Sequence, residues 1–352
     1  MAKLMERFTT VRVVQAYALD LSLFQFDGDL TLAVVFLNAD GTVYGRYGSR
    51  GDKATGHVHT AAGLRKAMEG ALDLHALYPG NRKSLEGKVG KAPPWRTPEA
   101  MPALKGRENV APADGSRSRC VHCHQARDGE AWSLRMARRK IDDRHLWAWP
   151  MPDEVGLGID PEERATVRSV DPGSAAERAG FRPGDRIVAM EGQPILSIAD
   201  VQWVLHSAEA PGTVEAEVAR GEATEKLKLA LAPDWRRDGD WTWRVLVWSV
   251  RHRLLGTEPL LMADAAERKS LGIPDGQMAL RVKGLPPGWV KEKAATPLRA
   301  GDVIVKADGR NDLVTESRLL AHLFQEVPPG GEATLTVLRE GKRETVTLKM
   351  RW

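Results

Sequence analysis

The sequence predicts an α+β multidomain chain, and three observations carry that expectation. Its 352 residues are more than a single hydrophobic core ordinarily organises. A Gly-Asp-x-Ile-Val run followed by an acidic-Gly pair occurs twice, at Gly184–Val188 with Glu191-Gly192 and at Gly301–Val305 with Asp308-Gly309, so the C-terminal two-thirds holds an internal repeat. Between that repeat and an α/β pattern at the N-terminus stands Cys120-Val121-His122-Cys123-His124.

Residues 1–80 read as an α/β unit. The pattern predicts a strand over Thr10–Val14, a helix near Leu21–Phe26 and a strand over Leu30–Leu37. A hairpin turn at Asn38-Ala39-Asp40-Gly41 leads to a return strand over Thr42–Tyr47. A helix over Thr60–Leu77 buries Leu64, Met68, Leu72 and His75 on one face. A sheet this small leaves an unpaired edge, so either the chain begins inside a longer product or another element covers that edge.

Residues 81–117, rich in Pro, Gly, Lys and Ala, read as a linker. Residues 118–150 hold the Cys-x-x-Cys-His motif, a helix over Ala131–Leu146 and Trp147-Ala148-Trp149-Pro150. The first repeat runs over 153–232 and the second over 253–352. Between them, 233–252 carries Trp235, Trp241, Trp243 and Trp248 among charges, the alternation of a half-buried packing strand.

Composition excludes some functions. The 51 Lys and Arg against 47 Asp and Glu are spread along the chain, which argues against nucleic acid as a partner. No apolar run reaches the roughly 20 residues of a membrane span. No secretion signal follows Met1. Neither a Gly-Asn/Asp-Ser-Gly-Gly run nor a Gly-x-Ser-x-Gly elbow occurs, so nothing in the sequence points to a serine protease.

Cys-x-x-Cys-His is the attachment pattern of c-type haem, with Cys120 and Cys123 as thioether donors and His124 as proximal ligand. Met136, His145 and Met151 are candidates for a sixth ligand, and Trp132, Trp147 and Trp149 for a cover. The same residues, with His122, also suit another metal or a redox dithiol.

The repeats resemble PDZ domains in the circular order of bacterial HtrA-type proteins, through Gly156-Leu157-Gly158-Ile159, Pro172-Gly173-Ser174-Ala175-Ala176, Ala179-Gly180 and Gly184-Asp185-Arg186-Ile187-Val188. That resemblance implies binding of protein or peptide C-termini. A peptide would add as a strand, its carboxylate held by the backbone of the Leu157, Gly158 and Ile159 loop, with Val201, Val204 and Leu205 contacting its last side chain. The second repeat opens at Leu255-Gly256-Thr257 and has a helix inserted over Ala263–Gly272. Thr257 in place of Ile159 predicts weaker binding there.

The run A-V-V-F-L-N-A-D-G-T-V-Y-G-R-Y-G is similar to the last two strands of a thioredoxin fold, which makes residues 1–80 its C-terminal half. The whole chain, through L-D-L-S-L-F-Q-F-D, C-V-H-C-H-Q and S-I-A-D-V-Q-W-V-L-H, resembles a bacterial family joining a thioredoxin-like domain to a Cys-x-His-Cys-His segment and two PDZ modules, some of whose members are selenoproteins. The resemblance implies a periplasmic or otherwise extracytoplasmic protein linked to redox chemistry or electron transfer, with Met1 an internal start. The alternative is a non-catalytic PDZ scaffold whose thioredoxin-like part is structural.

Overall fold

The structure, a computed structural model, describes residues 1–51, 58–105, 121–287 and 296–350. They form two compact units, residues 1–127 with 148–236 and residues 128–147 with 237–352.

The first unit opens with a one-turn helix α1 (Ala2–Met5) and the antiparallel pair β1 (Val34–Leu37) and β2 (Val43–Tyr47). Helix α2 (Ala61–Ala76) starts where the Thr60 side chain accepts a hydrogen bond from the Gly63 amide. Its Ala67 and Met68 are buried with Phe36, Tyr44, Tyr47 and Leu85, and Leu196 of the first repeat completes the cluster. The strand expected over Thr10–Val14 is absent: Thr9–Val14 is exposed throughout and takes no partner strand, so β propensity there has no ladder to join. The helix expected near Leu21–Phe26 is replaced by turns in which the Leu23 and Phe24 amides both donate to Asp20 O and the Asp20 carboxylate accepts from Ser22. Aspartate here satisfies the chain locally and competes with a helix.

Residues expected to form a linker are folded over 81–105. Helix α3 (Arg82–Leu85) and short helical turns at 86–88, 98–100 and 102–104 bury Leu85, Lys88, Met101 and Leu104. The expected Cys-x-x-Cys-His helix begins earlier than Ala131 and in two pieces, α4 (Cys123–Met136) and α5 (Asp143–Leu146).

The first repeat follows. A turn at Pro152–Val155 leads to β3 (Leu157–Ile159), which pairs with β4 (Val167–Val170). Then come α6 (Ala175–Ala179), β5 (Arg186–Met190), β6 (Gln193–Pro194), α7 (Ile198–Ser207), β7 (Gly212–Arg220) and β8 (Ala223–Leu231), with a sheet ordered β6-β5-β7-β8. Val214, Ala216 and Val218 of β7 and Leu227, Leu229 and Leu231 of β8 alternate inward, the period-two burial of a sheet packed on one face.

The tryptophan stretch is helical where a strand was expected: α8 (Trp235–Asp238) precedes α9 (Val245–Leu254). Trp235 and Trp241 are buried, whereas Trp248 is 41% exposed. Unit 2 then contains β9 (Leu260–Met262), α10 (Ala265–Leu271), β10 (Leu280–Val282), β11 (Val303–Ala307), α11 (Glu316–Ala321) running on as a π-helical turn to Glu326, β12 (Glu332–Arg339) and β13 (Lys342–Lys349). Its sheet is ordered β13-β12-β11-β10-β9.

One polar lock recurs in both repeats and explains the Gly-Asp signature. The buried Asp185 carboxylate accepts two bonds from the Arg220 guanidinium, at 2.7 and 2.8 Å, and one from the Arg182 amide at 2.9 Å. Asp302 does the same with Arg339, at 2.8 Å twice, and with the Arg299 amide at 2.8 Å. Burial opposes ionisation of both aspartates, but their arginines prevail and hold both below the ordinary carboxylate range. The acidic-Gly turns match as well, since Glu191 and Asp308 both sit at φ 48° and are followed by glycines at positive φ.

Candidate functional site

In the first repeat the candidate site is the outer edge of β3. Gly156 O accepts from the Asp171 amide at 3.0 Å, and the Asp160 amide donates to Thr166 O at 2.9 Å. Residues 156, 158 and 160 therefore turn their peptide groups toward β4. By the alternation of an antiparallel ladder, Leu157 and Ile159 turn theirs to the opposite side. Val167, opposite Ile159, is consistent with this, because its amide donates to Asp185 O and its carbonyl accepts from Gly184. No other group among the described residues bonds to the outward peptide groups of Leu157 or Ile159.

Two glycines shape the loop. Gly156 has φ 82°, and a Cβ there would lie 2.2 Å from Ser174 Cβ, at the N-cap of α6. A Cβ on Gly158 would meet Ser169 Oγ at 2.1 Å. Close approach of a ligand is one reason for glycine at 158, and cross-strand packing against Ser169 is a second.

The turn at Pro152–Val155 packs against α7, so loop and helix are neighbours. Val201, Val204 and Leu205 are buried to 2% exposure or less and belong to the interior in this conformation, as do the side chains of Leu157 and Ile159. The other face of α7 has a role the sequence reading missed. Asp200 Oδ1 accepts from the Arg46 amide at 3.1 Å, and Ser197 Oγ donates to Arg46 O at 2.6 Å. Arg46 lies opposite Val35 across the hairpin, so these bonds cover the outer edge of β2. The second Asp200 oxygen accepts from the Leu196 amide and pairs with Lys88 Nζ at 2.9 Å, both side chains fully buried. Burial pushes the Lys88 pKa down, against the pull of Asp200. The Arg46 guanidinium stacks 4.4 Å from the Trp203 ring, and burial lowers its pKa to about 10. A helix carrying Asp200, Gln202 and Trp203 among its apolar residues was the sequence signal for a second packed face.

Cys123 and His124 stand on the first turn of α4; Cys120 lies outside the described residues. The His122 and His124 rings stack at 5.6 Å. Burial, then His122, lowers the His124 pKa, while burial raises that of the half-buried Cys123 thiol. Neutral imidazole is the ligating form and fits haem c; a thiol kept protonated is a poor nucleophile for disulfide exchange. Trp132 packs on Phe324, Trp147 on Trp241 and Trp149 on Trp203 and His206. Of the sixth-ligand candidates, Met136 is 52% exposed, His145 accepts from the Asp142 amide and Met151 is buried beside Ser49. Among the described residues no three His, Cys, Asp or Glu side chains converge as a metal site.

A strand with an open edge beside a helix, entered by a Gly-Leu-Gly-Ile loop, defines a peptide-binding module of the strand-addition class. Residues 166–220 match the PDZ domain family. Over 197 residues the chain is 26% identical to a probable periplasmic serine endoprotease DegP-like of Pseudomonas fulva, covering 55% of this chain and 39% of that protein. A protein of the same description from a Marinomonas strain is 26% identical over 190 residues, covering 53% of this chain and 37% of its own. Among solved structures, the HtrA3 PDZ domain bound to a phage-derived ligand (FGRWV) is 31% identical, covering 18% of this chain and 60% of its own, with a TM-score of 0.17. The chain thus carries a PDZ domain of HtrA type. It spans about two-fifths of the length of these curated relatives.

Proposed function

We propose that this chain is a non-catalytic PDZ scaffold that captures protein or peptide C-termini outside the cytoplasm. The observation that carries the reading is the unoccupied outer edge of β3 at Leu157 and Ile159, entered through Gly156 and Gly158. An incoming strand would bond there, and the loop amides would receive its carboxylate. The duplicated Asp-Arg lock supports reading the second repeat as a PDZ module too. Of the strand, helix, hairpin and helix expected for a thioredoxin C-terminal half, the β1–β2 hairpin and α2 form, here serving as support for α7. The periplasmic relatives support an extracytoplasmic place, and no helix among the described residues is long and apolar enough to cross a membrane.

The relatives are described as serine endoproteases. What carries over is peptide capture, since the sequence has no protease serine motif. Titration of the chain with a C-terminal peptide and its amidated form tests the proposal. Amidation should weaken binding at least about tenfold, the loss of one charge-assisted contact; equal affinity would overturn it.

A second reading, haem c on Cys120 and Cys123 with His124 as ligand, rests on the Cys-x-x-Cys-His spacing, of which Cys123 and His124 share the first turn of α4. Such a group would supply one-electron transfer. A pyridine haemochrome spectrum of protein exported with the cytochrome c maturation machinery decides it, and absence of covalent haem removes it.

A further inference from the structure

The two repeats differ at the one edge where a peptide would add. Gly284 stands two residues beyond Val282, as Ser169 stands two beyond Val167, and both valines make the same two bonds to their Gly-Asp turns. The Glu258 amide donates to Gly284 O at 2.9 Å, which sets Glu258 in the place of Gly158. Leu260, opposite Val282, then corresponds to Ile159, opposite Val167. This corrects the register read from sequence, in which Thr257 stood for Ile159. Thr257 instead matches Leu157, and Gly256 with φ 66° matches Gly156 with φ 82°.

In this register the second edge is closed three times over. Val282 points its peptide groups to β11, so Leu260 points its amide to the outer edge, where a peptide carbonyl would have to bond. That amide already donates to Glu316 Oε2 at 2.5 Å. Glu316 is 6% exposed and its other oxygen accepts from Arg251 Nε at 2.9 Å, so it is anchored by a buried cation. Pro259, the residue before, has no amide to offer. Glu258 brings an acidic side chain to the position that Gly158 keeps bare, which disfavours a second carboxylate there.

We infer that the Glu316 carboxylate, clamped by Arg251, is a built-in occupant of the second groove, which makes the second repeat a structural module and leaves the first as the chain's one peptide receptor. The inference rests on the reading of the β3 edge as a peptide site and adds which repeat uses it. The first repeat has no counterpart of the plug among the described residues: the residue after its helix cap Ser197 is Ile198, where the second repeat has Glu316 after Thr315.

The test is panning of a random C-terminal heptapeptide library on the whole chain, then calorimetry with the tightest peptide and residue-resolved amide hydrogen exchange. The expected result is one peptide per chain, protection gained at Leu157 and Ile159, and a Leu260 amide slow to exchange with or without peptide. Gly158→Glu, copying Glu258, should remove binding altogether. The paired change Arg251→Met with Glu316→Leu should speed Leu260 exchange without lowering affinity at the first edge. Two peptides per chain, binding that survives G158E, or a Leu260 amide that responds to peptide overturns the inference while leaving the peptide-receptor reading intact. No binder from the library overturns both.

Discussion

Removing the Asp200 carboxylate tests whether the hairpin, the Lys88 turn and α7 are one folded body. In Asp200→Ala the Lys88 ammonium stays fully buried with no counter-charge, and breaking such a pair costs about 3–5 kcal/mol. The Arg46 and Leu196 amides lose their acceptor as well, at about 1–3 kcal/mol each when water cannot replace it. These losses share one site and do not add in full, so the net destabilisation should be about 4–6 kcal/mol. Lys88→Met should cost less, about 2–3 kcal/mol, because Asp200 keeps both amide bonds. The two variants also differ in pH response. Burial depresses the Lys88 pKa, so its unfolded form binds more protons than its folded form, and stability in D200A should recover as pH rises toward the ordinary lysine value of 10.5. K88M has nothing there to titrate. Urea titration with hydrogen exchange read on β2 peptides measures all of this. A D200A chain within about 1 kcal/mol of wild type, or a K88M chain harmed as much, would refute the reasoning.

Three further outcomes follow from the same geometry. Gly156→Ala, at φ 82° and against Ser174 Cβ, should cost about 1–3 kcal/mol and abolish peptide binding, read by thermal unfolding and calorimetry. Arg220→Met and Arg339→Met should each destabilise their own repeat, and by similar amounts, since each leaves one buried aspartate without its guanidinium; amide exchange on β7 and β12 peptides separates the two. The lowered pKa values of Asp185 and Asp302 mean the unfolded state binds more protons, so stability should fall as pH drops below the ordinary aspartate value of 3.8, and R220M should blunt that dependence in an acid titration.

The repeats were legible because their signals are local. A Gly-Asp run, an acidic-Gly turn and alternating strands each state a backbone requirement within a few residues, and both copies keep them. The N-terminal elements were harder because short segments take their structure from partners. Thr10–Val14 has the composition of a strand but no partner strand among the described residues, and Leu21–Phe26 yields to an aspartate turn. The stretch expected as a linker folds because Lys88 meets Asp200, a contact 112 positions away that no window of sequence reports. The second carboxylate loop was placed two to three residues early, because Leu255-Gly256-Thr257 imitates the motif while serving as the end of α9, where the Leu255 and Gly256 amides both donate to Arg251 O.

The two repeats differ where stability makes no demand. Both copies keep the Asp-Arg lock and the sheet, which stabilise the fold in either copy. The ligand edge carries no such duty. An open edge leaves the outward peptide groups of Leu157 and Ile159 in β3 without partners among the described residues, whereas Glu316 satisfies the matching amide of β9 from within. Closing the edge is thus the self-sufficient state of the module and leaving it open is the one that needs a ligand. Burial raises the Glu316 pKa, so the folded state holds a proton more readily than the unfolded one, and ionising Glu316 costs stability as pH rises above its ordinary 4.5. Protonated Glu316 loses the charge that binds Arg251, and the Leu260 amide loses its strongest acceptor. Exchange at Leu260, corrected for the intrinsic pH dependence of exchange, should therefore be fastest relative to its β9 neighbours at acid pH and slow as Glu316 ionises. A Leu260 amide whose relative protection is flat across that range would mean that the carboxylate does not hold the edge closed.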